Sequence, residues 1–271
     1  MTQDWTLQLT IDPCTEQADA PTLVLGHSLG SSHIMWDQLV PLLTPWVTLV
    51  RFDLPGHGGA PVAPIDSEMD TEQLFAALGR SLDRSGIGKV HVGGLSIGGL
   101  LALAAPLHLG DRVRSLACMS SGPRAGTPHA WRERIDDVRA HGVEHLVAPV
   151  MQRWFTPEYT KGPGQQAVAG IASAYAHCDP HGYAQACEIL AKTDLTQRLG
   201  EISCPALVVA AEFDAGCAFE DGARTVEALR GGASPLVQFL PVSSARHMSA
   251  MEAPHLVAGA LVDLVRRTEA M

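Results

Sequence analysis

The sequence predicts an α/β fold, in which helices cover a mostly parallel β-sheet. Three observations lead to this prediction: apolar runs of strand length recur, helix-length segments lie between several of them, and 271 residues are enough for one large core. The runs are rich in Val and Leu and are bounded by Gly, Pro or Asp, which is typical of strands buried on both faces of a parallel sheet. They occupy residues 23–25, 47–52, 90–92, 113–119, 206–211 and 236–240.

Composition limits the classes of partner. The formal net charge is −10, so there is no excess of Lys and Arg with which to bind nucleic acid or an acidic membrane. The six cysteines are scattered without a CxxC motif, which is typical of reduced thiols. The sequence contains no basic region followed by an apolar stretch at the N-terminus, and no apolar run of bilayer length. We therefore expect a cytoplasmic protein with a small-molecule substrate and no nucleic-acid or membrane partner.

The alternation of strand-like and helix-like segments breaks between about residues 123 and 196, where no convincing strand occurs. Apolar residues there fall three and four apart and would line one face of a helix: Val143, Leu146, Val147, Val150, Met151 and Trp154. Met151 and Trp154 taken singly are more simply explained as core residues, but a helical insertion after a strand indicates a cap over the carboxyl edge of the sheet. The sequence thus predicts one α/β core, residues 1–122 and 197–271, and a helical cap, residues 123–196.

The most informative motif is a serine between a predicted strand and a predicted helix. Ser96 lies in the stretch GGLSIGGL, shortly after the strand-like residues 90–92. A serine at such a sharp turn has a strained backbone, which Gly94 and Gly98 permit because a side chain there would collide with the turn. The strain holds the hydroxyl clear of the sheet at the helix N-terminus. We therefore predict that Ser96 is a catalytic nucleophile, because the alternative of a glycine-rich turn with an exposed serine does not require this strand and helix.

Two backbone N–H groups are predicted to form an oxyanion hole. The Ile97 N–H lies beside the serine, and the Leu29 N–H lies in the GHSLG loop after the first strand-like run. Two donors aimed at one oxygen stabilise the charge that develops when an acyl carbon is attacked, each by about 3 kcal/mol. We interpret His27 and Ser28 as residues that shape this loop, because a catalytic triad needs only one base.

A serine hydroxyl needs a neutral imidazole to remove its proton during attack, and twelve histidines are candidates. When the order along the chain is serine, acid, histidine, the histidine lies in a loop after the last strand, which is the position of His247. His255 lies just beyond Pro254 in a predicted C-terminal helix, which favours a surface role. His57 lies in a tight loop before the serine, so we interpret it as a loop histidine bonded to backbone.

A carboxylate has to hold that imidazole in the correct tautomer and to stabilise its cation. We predict Asp214 for this role because it follows the strand-like residues 206–211 and lies between the serine and the histidine in the chain. Glu212 lies still at the strand end and Asp221 is expected on the next helix, so both are weaker candidates.

With this triad in place, the chain resembles the 3-oxoadipate enol-lactonases, which are α/β-hydrolases of the β-ketoadipate pathway of aromatic catabolism. The resemblance goes beyond the shared fold. The core motifs that carry it are Gly94-Leu95-Ser96-Ile97-Gly98-Gly99 and Ser28-Leu29-Gly30 followed by Met35-Trp36. The cap motifs are Gly126-Thr127-Pro128 with Trp131, Arg153-Trp154-Phe155-Thr156, Gly182-Tyr183 with Cys187, and Asp194-Leu195. The cap motifs are the more specific ones, because a general esterase has no reason to share them.

The resemblance implies hydrolysis of a small five-membered enol-lactone that carries a carboxylate, with neither a metal nor an organic cofactor. It implies a basic residue at the entrance to the cap, where Arg124 is the candidate, although an arginine is more often a solvated surface residue. Trp131 and Trp154 are expected to form an apolar wall around the ring. Three departures from the family's pattern leave the triad intact and concern the exact lactone: Gly26-His27, Glu212 and Ala250.

Other functions also account for parts of this pattern. A broader carboxylesterase, or a serine hydrolase that uses peroxide as acyl acceptor, would need the same triad. A non-catalytic ligand receptor on this fold would have less need of Ser96, Asp214 and His247 together. Metal-dependent lactone hydrolysis is disfavoured because the sequence has no HxxxDH-like cluster of ligands.

Overall fold

A seven-stranded β-sheet forms the centre of the computed structural model, which describes residues 4–271. The order across the sheet is β1-β3-β2-β4-β5-β6-β7. Strands β2 to β7 pair in parallel, whereas β1 pairs antiparallel with β3. The strands are β1 (Gln8–Asp12), β2 (Thr22–Gly26), β3 (Thr48–Asp53), β4 (Val90–Leu95), β5 (Val113–Met119), β6 (Ala206–Ala211) and β7 (Val237–Val242).

The six strands predicted from apolar runs are present as β2 to β7, which confirms the predicted α/β fold. Strands β4 and β6 are buried along their whole length, as expected of strands covered on both faces. The apolar-run criterion does not detect β1. Its sequence QLTID is exposed or half-exposed along its length, because it lies at the edge of the sheet and forms no continuous apolar run.

Helices connect the strands and cover the sheet. Helix α3 begins at Ile97, and its apolar sequence is buried around most of its circumference because it packs against β2, β4 and β5. None of the helices within residues 4–271 has the length and apolar character needed to cross a membrane. The helices are α1 (Val40–Leu43), α2 (Thr71–Arg84), α3 (Ile97–Leu109), α4 (Pro128–His141), α5 (Val147–Trp154), α6 (Pro157–Lys161), α7 (Gln165–Ala176), α8 (Pro180–Lys192), α9 (Phe219–Arg230), α10 (Ser249–Glu252) and α11 (Pro254–Glu269).

Helices α4 to α8 lie between β5 and β6, in the stretch where the sequence predicts a cap. The longest two of these, α4 and α8, pack against each other. The two ends of the stretch also meet, because the Leu195 N–H donates a 2.8 Å hydrogen bond to the Pro123 carbonyl. The insertion therefore leaves and re-enters the core of the fold at one point.

The helical face predicted over residues 143–154 is divided between two elements. Its apolar residues are buried or half-buried, but α5 begins only at Val147, after a 3₁₀ turn at Glu144–Leu146. Pro149 explains the break, because its ring would clash with the carbonyl of His145 in a continuous α-helix. Within the first turn of α5 the missing N–H costs no hydrogen bond, since the first N–H groups of a helix have no partner inside it.

Candidate active site

Ser96 occupies the sharp turn between β4 and α3. Its φ of 62° and ψ of −119° lie outside the regions that residues with side chains ordinarily adopt. The neighbouring glycines make room for this turn. A Cβ on Gly94 would lie 2.3 Å from the Gly98 backbone, and a Cβ on Gly98 would lie 2.2 Å from the Gly26 carbonyl oxygen. The strand, turn and helix predicted around the serine are therefore all present.

The backbone N–H groups of Leu29 and Ile97 lie in the loop after β2 and at the start of α3. Ile97 is the first residue of α3, where an N–H has no partner within the helix. Within residues 4–271, neither of these two N–H groups donates a hydrogen bond. The ring of Tyr175 packs closely against the backbone of Gly30, the residue after Leu29. A Cβ on Gly30 would lie 2.2 Å from this ring. Both donors are thus available to an oxygen that develops negative charge beside Ser96.

Asp214 and His247 are joined by a 2.8 Å hydrogen bond between Asp214 Oδ2 and His247 Nδ1, and both residues are buried. The other carboxylate oxygen, Oδ1, accepts hydrogen bonds from the N–H groups of Gly216 (2.8 Å) and Cys217 (3.1 Å). These two donors orient the carboxylate after β6. Because a carboxylate can only accept, Nδ1 carries the proton in this pair, and Nε2 is left as the nitrogen that can receive one.

Ser96 and His247 line the same cavity, of about 260 Å³. No hydrogen bond joins the Ser96 hydroxyl to another side chain in the described part of the chain. Catalytic hydrogen bonds are often long in the absence of substrate and tighten when the substrate enters. The absence of a hydrogen bond between the Ser96 hydroxyl and His247 is therefore compatible with the predicted triad. The structure therefore brings the three predicted residues into one cavity and bonds two of them directly.

Trp131 and Trp154 also line this cavity. The Trp154 ring is stacked on the His247 imidazole, with 5.9 Å between ring centroids and 30° between planes. The Trp131 indole N–H donates a hydrogen bond to the Ala125 carbonyl, which leaves the rest of its ring as apolar surface. The two indoles thus contribute apolar surface to the cavity that contains Ser96.

Arg124 does not line the cavity that contains Ser96. Its Nη1 atom is 3.5 Å from Asp194 Oδ2, and the side chain is 44% exposed. It lines a neighbouring cavity of about 340 Å³ instead. The physical reason is its place in the chain: Arg124 and Asp194 follow and precede the two residues at which the insertion leaves and re-enters the core, so they form an ion pair there.

Two other arginines line the cavity, Arg134 on α4 and Arg153 on α5. From the sequence, Arg153 is recognised only as part of a cap motif, and Arg134 is not recognised. Neither forms an ion pair or hydrogen bond through its side chain with any other residue in the range 4–271. Arg153 also borders an open surface groove of about 1200 Å³. Arg134 could have been found from its spacing, because it follows Trp131 by three positions and residues three apart share one face of a helix.

Two tyrosine hydroxyls meet in the same cavity wall. The Oη atoms of Tyr175 and Tyr183 are 2.7 Å apart. Burial raises the pKa of Tyr175 to about 12 and raises the pKa of Tyr183 well above its ordinary value, so both hydroxyls stay protonated at neutral pH. The positive charge of Arg134, which lines the same cavity, opposes this effect on the pKa of both tyrosines. Because one hydroxyl donates to the other, one proton remains for an acceptor in the cavity.

Asp214, Cys217 and His247 are the one group of three side chains in residues 4–271 whose ligand atoms, all within 4.8 Å of one another, could hold a metal ion. Zinc accepts a carboxylate, a thiolate and an imidazole. Binding would require both Cys217 and the bonded His247 nitrogen to lose a proton, and burial raises the pKa of the Cys217 thiol. With Cys217 and the His247 Nδ1 atom protonated, the carboxylate of Asp214 instead holds the imidazole by a hydrogen bond, in the cavity that Ser96 also lines.

The competing histidines have other surroundings. His57 is buried with Nδ1 2.9 Å from the Pro55 carbonyl oxygen, and burial lowers its pKa to about 3. His27 Nε2 accepts a 2.9 Å hydrogen bond from the Leu54 N–H. His255 is exposed near the start of α11. These contacts agree with the interpretation of the first two as loop residues and of the third as a surface residue.

Comparison with known proteins places the chain in a family. Residues 21–142 match the model of the alpha/beta hydrolase fold. The chain is 33% identical over 204 residues to 3-oxoadipate enol-lactonase 1 of Acinetobacter baylyi, a match that covers 75% of each protein. It superposes on the enol-lactonase from Burkholderia xenovorans LB400 with a TM-score of 0.87 and 28% identity, over 96% of both chains. A thermophilic esterase from Thermogutta terrifontis, solved with malate bound, gives a TM-score of 0.85 and 25% identity, over 97% of this chain and 94% of that one.

The chain belongs to the α/β-hydrolase family, and it is a hydrolase. Within that family it is similar in sequence and in structure to the 3-oxoadipate enol-lactonases, which confirms the resemblance predicted from its motifs.

Proposed function

We propose that this hydrolase opens a small lactone that carries a carboxylate, of the 3-oxoadipate enol-lactone type, in the catabolism of aromatic compounds. The observation that carries the proposal is the composition of one cavity, in which Ser96, Asp214 and His247 lie opposite cationic and aromatic residues of the insertion. The similarity to two enol-lactonases supports the same substrate class.

In the proposed mechanism, the Ser96 hydroxyl attacks the lactone carbonyl carbon while His247 Nε2 takes its proton. Asp214 stabilises the imidazolium that results. The N–H groups of Leu29 and Ile97 stabilise the oxyanion of the tetrahedral intermediate. When that intermediate collapses, the ring C–O bond breaks and the proton on His247 passes to the released enol oxygen.

The acyl-enzyme that follows carries its own leaving group, because the acyl and enol parts of a lactone belong to one molecule. Tautomerisation of the enol to a ketone removes the oxygen nucleophile that could otherwise close the ring again. Water then attacks the Ser96 ester with His247 as general base, and a free carboxylic acid leaves. The net reaction consumes one molecule of water.

We assign the carboxylate of the substrate to Arg134 and to the hydroxyl pair of Tyr175 and Tyr183. A guanidinium presents a fork of donors that matches a carboxylate, and a charge-assisted pair is stronger than a neutral hydrogen bond. The available tyrosine proton adds a third donor. Arg153, at the border between cavity and surface groove, would attract the anion on its way in, which matters in a chain of net charge −10.

We further propose that residues 123–196 act as a cap that supplies specificity, over a core, residues 1–122 and 197–271, that supplies the chemistry. The placement of the side chains supports this division. The proposed triad residues follow β4, β6 and β7, whereas the proposed substrate contacts lie on helices of the insertion: Trp131 and Arg134 on α4, Trp154 on α5, Tyr175 on α7 and Tyr183 on α8.

Turnover of two substrates by the wild type and by Ser96→Ala tests the proposal. The first substrate is an enol-lactone with a free carboxylate, made in situ from muconolactone, and the second is an uncharged aryl ester of similar size. We expect a higher kcat/KM for the lactone, and we expect Ser96→Ala to lower hydrolysis of both by several powers of ten. Wild-type rates in a folded Ser96→Ala would refute the nucleophile, and a preference for the aryl ester would refute the substrate class.

A carboxylesterase of broader specificity, or an enzyme that passes the acyl group to peroxide, is the second candidate. The structural similarity to the thermophilic esterase favours it. Under this alternative the aryl ester is the better substrate, or added peroxide raises the rate at which the acyl-enzyme breaks down. A wild type that turns over neither substrate, but binds the carboxylated one, would instead indicate a non-catalytic receptor.

A further inference from the structure

We propose that Glu252 is a positioning residue that joins the His247 loop to the insertion, so that the placement of the imidazole depends on the end of α5. The proposal rests on the function proposed above only in giving His247 a catalytic role. The contacts of Glu252 themselves do not depend on the identity of the substrate.

One carboxylate bridges two segments that are far apart in the chain. Glu252 Oε1 accepts hydrogen bonds from both the N–H (2.8 Å) and the hydroxyl (2.5 Å) of Thr156. Thr156 lies two residues beyond the end of α5. Glu252 Oε2 accepts a 2.7 Å hydrogen bond from the N–H of Arg246, the residue before His247. The two oxygens of one side chain thus hold the insertion and the histidine loop against each other.

The residues on either side of His247 make further hydrogen bonds to the same end of α5. The Arg246 guanidinium donates to the carbonyls of Gln152 and Phe155, the second at 3.0 Å. The Met248 N–H donates to the Trp154 carbonyl at 3.1 Å. The carbonyls of Gln152 and Trp154 lie in the last turn of α5, where they have no partner within the helix, and Phe155 is the residue that follows. The histidine loop therefore supplies the donors that end α5, and it is held on both sides of the imidazole.

The imidazole itself is fixed between the two parts of the fold. Its Nδ1 is bonded to Asp214, which belongs to the core, and its ring stacks on Trp154, which belongs to the insertion. A shift of α5 would therefore carry Trp154 away from the ring and pull on the loop at Arg246 and Met248. We infer that Glu252, as the side chain that accepts hydrogen bonds from both Thr156 and Arg246, determines whether Nε2 points at the Ser96 hydroxyl.

The kinetic test compares Glu252→Ala and Glu252→Gln with Glu158→Gln, a matched control because Glu158 is an exposed glutamate two residues beyond Thr156 with no side-chain hydrogen bond in residues 4–271. We expect Glu252→Ala to lower kcat by about 10- to 100-fold with KM changed less than about threefold. Glu252→Gln keeps one acceptor oxygen and should fall between. The control should retain the wild-type values.

The second side of the bridge is tested at Thr156. Thr156→Val removes the hydroxyl that donates to Glu252 and should lower kcat, whereas Thr156→Ser keeps the hydroxyl and should restore it. If Glu252→Ala does not fold by circular dichroism, this pair and Glu252→Gln carry the test. Equal kcat in all folded variants would overturn the proposal, and a rise in KM alone would show that the bridge only shapes the cavity.

A measurement without substrate separates this proposal from the proposed function. The proton on His247 Nδ1, bonded to Asp214, should give a downfield proton resonance that disappears in His247→Gln. We expect the resonance to shift or broaden in Glu252→Ala and Thr156→Val and to be unchanged in Glu158→Gln. If the wild type does not hydrolyse the lactone but the resonance responds, the coupling stands and the function fails. If the lactone is hydrolysed and the resonance is unchanged in every variant, the coupling fails alone.

Discussion

The position of Ser96 is set by backbone atoms around it. The space that a Cβ would occupy at Gly94 and Gly98 is already filled by backbone of the turn and of Gly26. The strained φ of Ser96 is therefore maintained by the surrounding fold and not by contacts of its own side chain. This is why the loss of the hydroxyl in Ser96→Ala should leave the fold unchanged while it abolishes the proposed chemistry.

Arg134 should discriminate between charged and uncharged substrates. Arg134→Met removes the guanidinium and keeps an apolar side chain of similar length. Charge-assisted hydrogen bonds to a buried carboxylate are worth roughly 1.5–3 kcal/mol, so kcat/KM for the carboxylated lactone should fall by about 10- to 100-fold. The uncharged ester should be little affected. Steady-state kinetics with both substrates measure the difference.

Arg124→Met is the matched control for this prediction, because Arg124 is paired with Asp194 outside the cavity. We expect Arg124→Met to change kcat/KM for either substrate by no more than about twofold, because an exposed ion pair contributes little. Equal losses on both substrates in Arg134→Met would mean that Arg134 only shapes the cavity. A loss of kcat/KM in Arg124→Met for the carboxylated lactone alone would indicate that Arg124 binds the substrate carboxylate.

Metal ions should inhibit the enzyme, and their removal should not. The proposed acyl transfer uses only side-chain and backbone groups, so EDTA should leave the rate unchanged. Added zinc should compete with the proton for Asp214 and His247 beside Cys217. The zinc concentration that halves the rate is measured for each variant relative to its own metal-free rate. Cys217→Ser should raise this concentration by about tenfold, because a thiolate ligand is lost. Cys14→Ser should leave it unchanged. Loss of activity with EDTA that zinc restores would contradict the mechanism.

Some site residues could be predicted from the sequence because each follows a strand that is recognisable by itself. Asp214 and His247 are of this kind, and their hydrogen bond joins the ends of β6 and β7. Arg134 could not be assigned in the same way. Which face of α4 turns toward the cavity depends on its packing against α8, a helix distant in the chain. Arg139 and Glu188, which form a hydrogen bond between these two helices, are 49 residues apart.

At the scale of elements, α3 touches the end of β2 so closely that one added methyl group should separate them. A Cβ on Gly98 would lie 2.2 Å from the carbonyl oxygen of Gly26, which is backbone and cannot rotate away. Gly98→Ala should therefore lower the free energy of unfolding by roughly 3 kcal/mol or more. It should also reduce hydrolysis, because the loop that carries the Leu29 N–H follows that strand end directly.

Gly79→Ala is the matched control in α2, where the nearest atom to an added Cβ is 3.8 Å away on the Leu109 side chain. It should raise the free energy of unfolding by about 0.5–1 kcal/mol, the difference between Ala and Gly in a helix. Urea unfolding of both variants gives the two values. A Gly98→Ala variant as stable and active as the wild type would contradict the close packing.

Strands were easier to predict than the elements of the insertion. The sheet interior requires continuous apolar runs, which a sequence displays directly, as at Ala206–Ala211. The edge strand Gln8–Asp12 needs no such run and was missed. In the insertion, the apolar spacing over 143–154 identified the buried face correctly, but the start of α5 depends on Pro149, whose effect on a carbonyl four residues earlier the spacing does not include.

At the scale of the whole molecule, buried histidines should make stability depend on pH. Burial is the main cause that lowers the pKa of His27, of His57 (to about 3) and of His91 (to about 4). The folded state therefore favours their neutral forms. The contribution of each histidine to the free energy of unfolding is fully present above the unfolded pKa of about 6.5. This contribution is lost as pH falls from there toward the pKa of the folded state, by up to roughly 1.4 kcal/mol per pH unit for each histidine.

Urea unfolding between pH 5 and pH 8 measures this dependence. Carboxylates contribute mainly below about pH 4, so this window isolates the histidines. The free energy of unfolding should fall from pH 7 to pH 5 in the wild type, and more gradually in His57→Gln. A stability that is flat across the window, or that falls equally in the variant, would contradict the assignment to buried neutral histidines.

The hydrogen bond between Pro123 and Leu195 brings together the two ends of the insertion, which encloses 71 residues. We therefore expect that these residues can be replaced as one segment. Because this stretch begins and ends at one point, a substitute of another length can be grafted there without disturbing how β5 pairs with β6. On the proposed division between cap and core, such a graft should change the substrates that the enzyme accepts and keep the proposed catalytic residues. Among the contacts that the graft should reproduce is the junction at which Thr156 meets Glu252 and Trp154 meets His247. A chimaera that carries an esterase's insertion with that junction preserved should hydrolyse esters, and one without it should fold but turn over slowly.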